Sequence, residues 1–153
     1  MTNKIKNEVC SLEYAVKLKK LNCKQDSIFY FCKFEDDTYK DVVGASKLKS
    51  EFILIEDDGT LKERYKEIYS AFMVGELGER LPEAIGTAPI NLITIKNHGE
   101  GVYIYYTHAN GSRIFLDKKC LIAQTANTEA NARAKLYIYL LKNKIINPLT
   151  RGI

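Results

Sequence analysis

Two runs of acidic side chains are the first feature that could do chemistry: "FEDDTYKD" at 34–41 and "IEDDGTLKE" at 55–63. Neighbouring carboxylates can hold a metal ion or divide the work of general acid and general base. Both runs also read as turns, where Asp and Gly are required by the backbone, and neither has the ligand spacing of a calcium loop. His98 and His108 fail on distance. A hairpin register sets them at opposite ends of one strand, more than about 20 Å apart, so they cannot share a metal or a proton. Cys10, Cys23, Cys32 and Cys120 form no CxxC pair, and two histidines do not complete a zinc site, so buried, reduced thiols are expected. No phosphate-cradling glycine loop, nucleophile elbow or HExxH helix is present. The residues therefore predict no catalytic group, no metal and no cofactor: a protein that is not an enzyme.

Binding chemistry remains, and it is concentrated in "INLITIKNHGEGVYIYYTHANGSRIFLDK" at 90–118. Asn110-Gly111 suits a tight hairpin turn, and Gly99-Glu100 can form another. These turns predict that His98 faces Gly101, Ile95 faces Ile104, Ile93 faces Tyr106, and Tyr106 faces Phe115. One face of the meander is then a core face of Ile93, Ile95, Ile104, Tyr106 and Phe115. The reverse face carries Lys96, Tyr103 and Lys118 in a row, beside Thr94, Tyr105 and Leu116. Tyrosine rings can stack on a base while the flanking lysines neutralise phosphate. Lys96, Tyr103, Tyr105 and Lys118 are thus candidate ligand contacts, and Arg113 on the same meander joins them. The competing expectation is that a helix covers this face and the lysines reach past its rim.

The elements around the meander follow from periodicity. Ser11 can cap a helix through about Leu21, with Tyr14, Leu18 and Leu21 on one face and Asn22 suited to the left-handed stop. "SIFYFCKF" reads as a buried strand, and "TYKDVV" and "EFILIED" as two more. "SAFMVGELGERLP" at 70–82 predicts a helix capped by Ser70 and ended by Pro82, with Ala71, Gly75 and Gly78 along an edge that another group can approach closely. The helix N-terminus at Ser70 makes that residue a further anion-binding candidate. "CLIAQT" suggests a strand leading into "NTEANARAKLYIYLLKNKII". That last helix is apolar on two sides, with Ala130, Ala134, Tyr137, Ile138 and Leu141 on one and Ala132, Leu136, Tyr139 and Leu140 on the other. It is expected to lie between a sheet and either another helix or a second copy of the chain, which makes it a candidate homo-oligomer contact. Arg133 follows Glu129 by four residues in the favourable acid-first order, and is also a ligand candidate.

The order α-βββ-α-βββ-α predicts an α+β fold in which antiparallel sheet is covered by helices, as one domain over 1–153. With 153 residues, 46% of them hydrophobic, a core needs no metal or disulfide. The segment from Ser70 to Asn143 has the element order of a double-stranded RNA-binding domain. The lysine cluster that opens the last helix of such domains is replaced here by Glu129. Net charge is +4, distributed as +4 over 1–34, −4 over 35–67, −2 over 68–117 and +6 over 118–153. The basic ends could meet an anionic partner, and an acidic DNA mimic is disfavoured. No run has signal-peptide or membrane-spanning character, so a cytoplasmic protein is expected.

"LEYAVKLKKLNCKQDSIFYF", "SAFMVGELGERLP" and "TEANARAKLYIYLLKNKII", in this order, resemble a group of small proteins of tailed phages and prophages. The resemblance implies a bacterial host cell and no particular catalytic residue. Small phage proteins without catalytic motifs often act by occupancy. The leading reading is sequestration of an anionic, nucleotide-type host immune signal as counter-defence; the alternatives are antagonism of a host protein in the manner of an anti-CRISPR, and nucleic-acid binding as an accessory protein. The first needs a concave site, the second an exposed apolar patch, the third an affinity that falls steeply with salt.

Overall fold

The computed structural model describes residues 3–33, 46–47, 52–82, 85, 90–97, 101–108 and 122–148. In chain order the elements are α1 (Asn3–Glu8), α2 (Leu12–Lys20), β1 (Phe29–Lys33), β2 (Ser46–Lys47), β3 (Phe52–Glu56), α3 (Leu61–Arg64), β4 (Ile68–Ser70), α4 (Val74–Arg80), β5 (Ile90–Asn97), β6 (Gly101–His108), β7 (Ala123–Ala126) and α5 (Glu129–Lys142). Helices and two antiparallel sheets make the protein an α+β fold. In detail the order is richer than expected: α1 and α3 are additional, and β4 occupies the start of what reads as a helix. The expected strand "TYKDVV" lies outside the described residues.

The first sheet has the order β2-β3-β1-β4. Its central strands are apolar at nearly every position because both faces are buried. Phe29 and Phe31 pack with Phe52 and Leu54 in the main core, whereas Tyr30, Cys32, Ile53 and Ile55 join Leu61 in a second cluster behind the sheet. In α2, Ala15 and Leu18 are fully buried, and Asn22 stops the helix at φ +62°. The Ser11 hydroxyl does not cap this helix. Instead the Ser11 backbone N–H donates to Asn131 Oδ1 at 2.7 Å, fastening the start of α2 to α5.

Ser70 does not cap a helix. Pairing with β1 continues through it, since Tyr30 faces Ser70 and the Ala71 N–H donates to the Phe29 carbonyl at 2.8 Å. The helix therefore starts later, at Val74, and its first orphan donor is met by the Glu76 carboxylate, which accepts from the Met73 N–H at 2.7 Å. The same carboxylate accepts from the Ser27 hydroxyl at 2.7 Å and the Ile28 N–H at 2.9 Å, joining α4 to the entry of β1. The helix ends before Pro82 as expected, with Leu81 already extended.

The closing helix conforms closely to its sequence. The Thr128 side chain accepts from the Asn131 N–H at 3.2 Å, and Ala130, Ala132, Ala134, Leu136, Tyr137, Ile138, Leu140 and Leu141 are all buried. One side of α5 meets β6 and β7, and the other meets α1, α2 and α4, so both apolar faces are covered within this chain. The second face thus has its partner without a second copy.

The second sheet is a meander, β5-β6-β7, and its register differs from expectation by one residue. Asn97 pairs with Gly101, leaving three residues in the connection where a two-residue turn was expected; the connection itself, with His98, Gly99 and Glu100, lies outside the described residues. Gly101, the first residue after that connection, stands at φ +93°, a value that glycine adopts without strain. A Cβ there would also collide with the Ala126 carbonyl. A second correction concerns the strand beside β6. Tyr106 does not face Phe115, because its N–H donates to the Ile122 carbonyl at 3.2 Å and β7 follows in the same register. The Asn110-Gly111 turn and residues 109–121 lie outside the described residues.

Candidate functional site

Side chains alternate between the two faces of a strand, so the one-residue slip redistributes the meander. Val102, Ile104 and Tyr106 are buried beneath α5, and register places Lys96, Thr94 and Leu92 opposite them on that same face. Tyr103 and Tyr105 stand on the other face, where they pair with Thr125 and Ala123 of β7 and with Ile95 and Ile93 of β5. Lys96 and Tyr103 therefore do not share a surface, and the expected Lys96–Tyr103–Lys118 row is not formed. The signal that bears on the register is Gly101, which takes a positive φ as the first residue after a three-residue connection instead of a two-residue turn.

The Tyr103 and Tyr105 rings lie 5.2 Å apart, tilted by 36°, and both are half-buried. Neighbouring positions on this face are also uncharged: Thr107, Ala123 and Thr125 among the described side chains, and Asn91, Ile93, Ile95 and Asn97 by register. No described helix packs on it. The helix-facing side of the strand carries the only charge of β5, Lys96.

Lys96 has a different occupation. Its Nζ lies 2.6 Å from Glu129 Oε2, while Arg133 donates from Nε and Nη2 to Glu129 Oε1 at 3.2 and 2.9 Å. Burial pushes the Glu129 carboxyl up, but the two hydrogen-bonding cations outweigh it, and the group is held below the usual carboxylate range. Glu129 also sits in the first turn of α5, where the helix dipole favours a negative charge. The expected Glu129–Arg133 pair is present, and Arg133 serves packing: its guanidinium fills the space in front of Gly78, where a Cβ would overlap it. This explains Gly78 of the expected small-residue edge; Ala71 lies before α4, its N–H bonded to the Phe29 carbonyl. Gly75, by contrast, faces open space.

The remaining candidates are dispersed. Ser70 is fully buried in β4, and its hydroxyl has no hydrogen-bond partner among the described residues. The seven-residue α4 begins four residues later, so Ser70 offers no helix N-terminus to an anion. Arg113 and Lys118 lie outside the described residues. His108 pairs with Ile90, at the end of the hairpin away from the 97–101 connection. Among the described residues no cluster of His, Cys, Asp and Glu is arranged to hold a metal.

A shallow cleft of about 130 Å³ is lined by Asp26, Glu76, Glu79 and Arg80. Arg80 is tied to Asp26 by an ion pair and stacks 4.5 Å from the Phe72 ring centre. Three carboxylates against one guanidinium give the wrong sign for a phosphate, and the volume is well below the roughly 300 Å³ of a small-molecule site. Cys10, Cys23 and Cys32 are buried and free. Burial pushes the Cys10 and Cys32 thiols up to about 12 and raises Cys23, so none is poised as a nucleophile.

Three outward backbone groups at sheet edges are met by side chains. Gln25 Oε1 accepts from the Ser70 N–H at 2.8 Å, Lys19 donates to the Ile68 carbonyl at 2.7 Å, and Lys135 donates to the Thr125 carbonyl at 2.7 Å. The first two close the β4 edge and the third guards β7 against strand addition. Among the described residues, no helix is long and apolar enough to cross a membrane. Comparison with protein-family models, curated proteins and solved structures finds no match.

Proposed function

We propose that the protein acts by occupancy, without catalysis, docking a protein partner on the Tyr103–Tyr105 face of the second sheet. The carrying observation is the composition of that face: two adjacent half-buried tyrosines within a strand surface that has no Asp, Glu, Lys, Arg or His among the described residues. Charge depletion combined with tyrosine is the signature of the centre of a protein–protein interface. The resemblance to small phage and prophage proteins supports a host protein as that partner. A nucleotide-type ligand is less well supported, because the Tyr103 and Tyr105 rings and Lys96 stand on opposite faces and the described cleft is small and acidic.

A photo-crosslinking residue at Thr125, which is exposed on this face, should give a discrete adduct in lysate of the bacterial host. The adduct should be lost when Tyr103→Asp and Tyr105→Asp are combined, and retained when Lys142, away from the face, is changed to Glu. An adduct insensitive to the tyrosine changes, or a melting temperature raised by nucleotides but by no protein, would overturn the reading.

A further inference from the structure

The two basic ends of the sequence fold into one layer. Ser11 is bonded to Asn131, the Cys23 thiol donates to the Tyr137 hydroxyl at 3.8 Å, and α1 and α2 both pack on α5. Residues 3–24 hold six lysines against two glutamates, and residues 129–144 hold four cations against one glutamate. This layer therefore carries +7 in a chain whose net charge is +4, and the remainder of the chain is −3.

Part of that charge is already engaged. Lys17 pairs with Glu13, Lys24 with Asp26 and Arg133 with Glu129, while Lys19 and Lys135 bond backbone carbonyls. Lys4, Lys6, Lys20, Lys142 and Lys144 have no hydrogen-bond or ion-pair partner among the described residues, and all but the half-buried Lys6 are exposed. Five uncommitted ammonium groups on three helices that pack together raise the local potential and attract a polyanion. No exposed aromatic side chain is interleaved with them among the described residues, so the layer has no platform for stacking unpaired bases. The phosphate backbone of a duplex needs only the charge.

We infer that the α1–α2–α5 layer binds the phosphate backbone of double-stranded nucleic acid without reading its sequence, independently of the protein-docking face. Fluorescence anisotropy with labelled duplexes of about 20 base pairs, DNA and RNA in separate arms, tests this in the full chain. Affinity should fall with salt at a slope corresponding to about three to five phosphates, which is a loss of roughly 50-fold or more between 50 and 200 mM. Lys20→Glu combined with Lys142→Glu should weaken binding at least about tenfold and reduce the slope by about two. Lys66→Glu, an exposed lysine outside the layer, serves as the control and should cost little. Absence of duplex binding at 50 mM salt, equal losses from Lys66→Glu and from either single change, or binding to anionic phospholipid vesicles but to neither duplex would each overturn the inference. Circular dichroism of each variant excludes unfolding as the cause of a loss.

Discussion

Gly75 and Gly78 lie one turn apart in α4, and the structure assigns them opposite responses to the same change. Alanine in a helix interior is favoured over glycine by about 1 kcal/mol, with less expected near the first turn. At Gly75 nothing stands within 4 Å of the new methyl, so Gly75→Ala should stabilise by about 0.5 kcal/mol or more. At Gly78 the methyl overlaps the Arg133 guanidinium, which cannot withdraw without disturbing its two hydrogen bonds to Glu129. Both side chains of that pair are less than one-fifth exposed, and weakening a charge-assisted contact of this kind costs about 1–2 kcal/mol. Gly78→Ala should therefore be neutral or destabilising by up to about 1 kcal/mol. Removing the obstacle tests the cause: in an Arg133→Ala background, Gly78→Ala should recover the helix gain, giving a coupling of about 1–2 kcal/mol. Urea unfolding followed by circular dichroism measures wild type, the three single variants and the double variant, and in thermal melts a 1 kcal/mol change corresponds to about 2–4 °C in Tm. Equal stabilisation by Gly75→Ala and Gly78→Ala in the wild-type background would refute the packing of Arg133 on Gly78.

Four further outcomes follow from the same geometry. The Glu129 carboxyl titrates below its unfolded-state value of about 4.3, so its contribution is complete above that pH and lost as pH falls through the lower folded-state value; Glu129→Gln should reduce the acid-side drop in urea midpoint. Gly101→Ala should destabilise by about 2 kcal/mol or more, because it forces a side chain into positive φ and against the Ala126 carbonyl. Ser70→Ala should be neutral or stabilising in thermal melts, since the buried hydroxyl it removes has no hydrogen-bond partner among the described residues. Cys10, Cys23 and Cys32 should resist a thiol reagent at neutral pH in the native protein and react on denaturation, whereas rapid native labelling at any of them would contradict their burial.

Much of the scaffold was legible in local chemistry. Thr128, Asn22 and the double-sided apolar pattern of α5 each announced their structure, because a cap, a left-handed stop and a buried helix are decided by residues within a few positions. The continuous apolar run of β1 announced a strand buried on both faces for the same reason. Ser70 misled because cap residues and buried edge-strand residues share a type, and only the distant Phe29 carbonyl decides between them. The Tyr103–Tyr105 face was half legible: the two tyrosines share a surface as expected, but a single extra loop residue moved Lys96 to the opposite one. The three-cornered contact of Lys96, Glu129 and Arg133 combines positions more than thirty residues apart, which no local pattern encodes.

The face assignment rests on the alignment of β5 with β6, which nuclear Overhauser contacts read directly. Tyr106 turns its N–H toward β7, so Leu92–Tyr106, Thr94–Ile104 and Lys96–Val102 are the pairs without mutual hydrogen bonds, whose α-protons approach closely. Strong α-proton contacts between Thr94 and Ile104 and between Lys96 and Val102 are the expected result. A strong contact between Ile95 and Ile104 would return Lys96 to the side of Tyr103 and contradict the account.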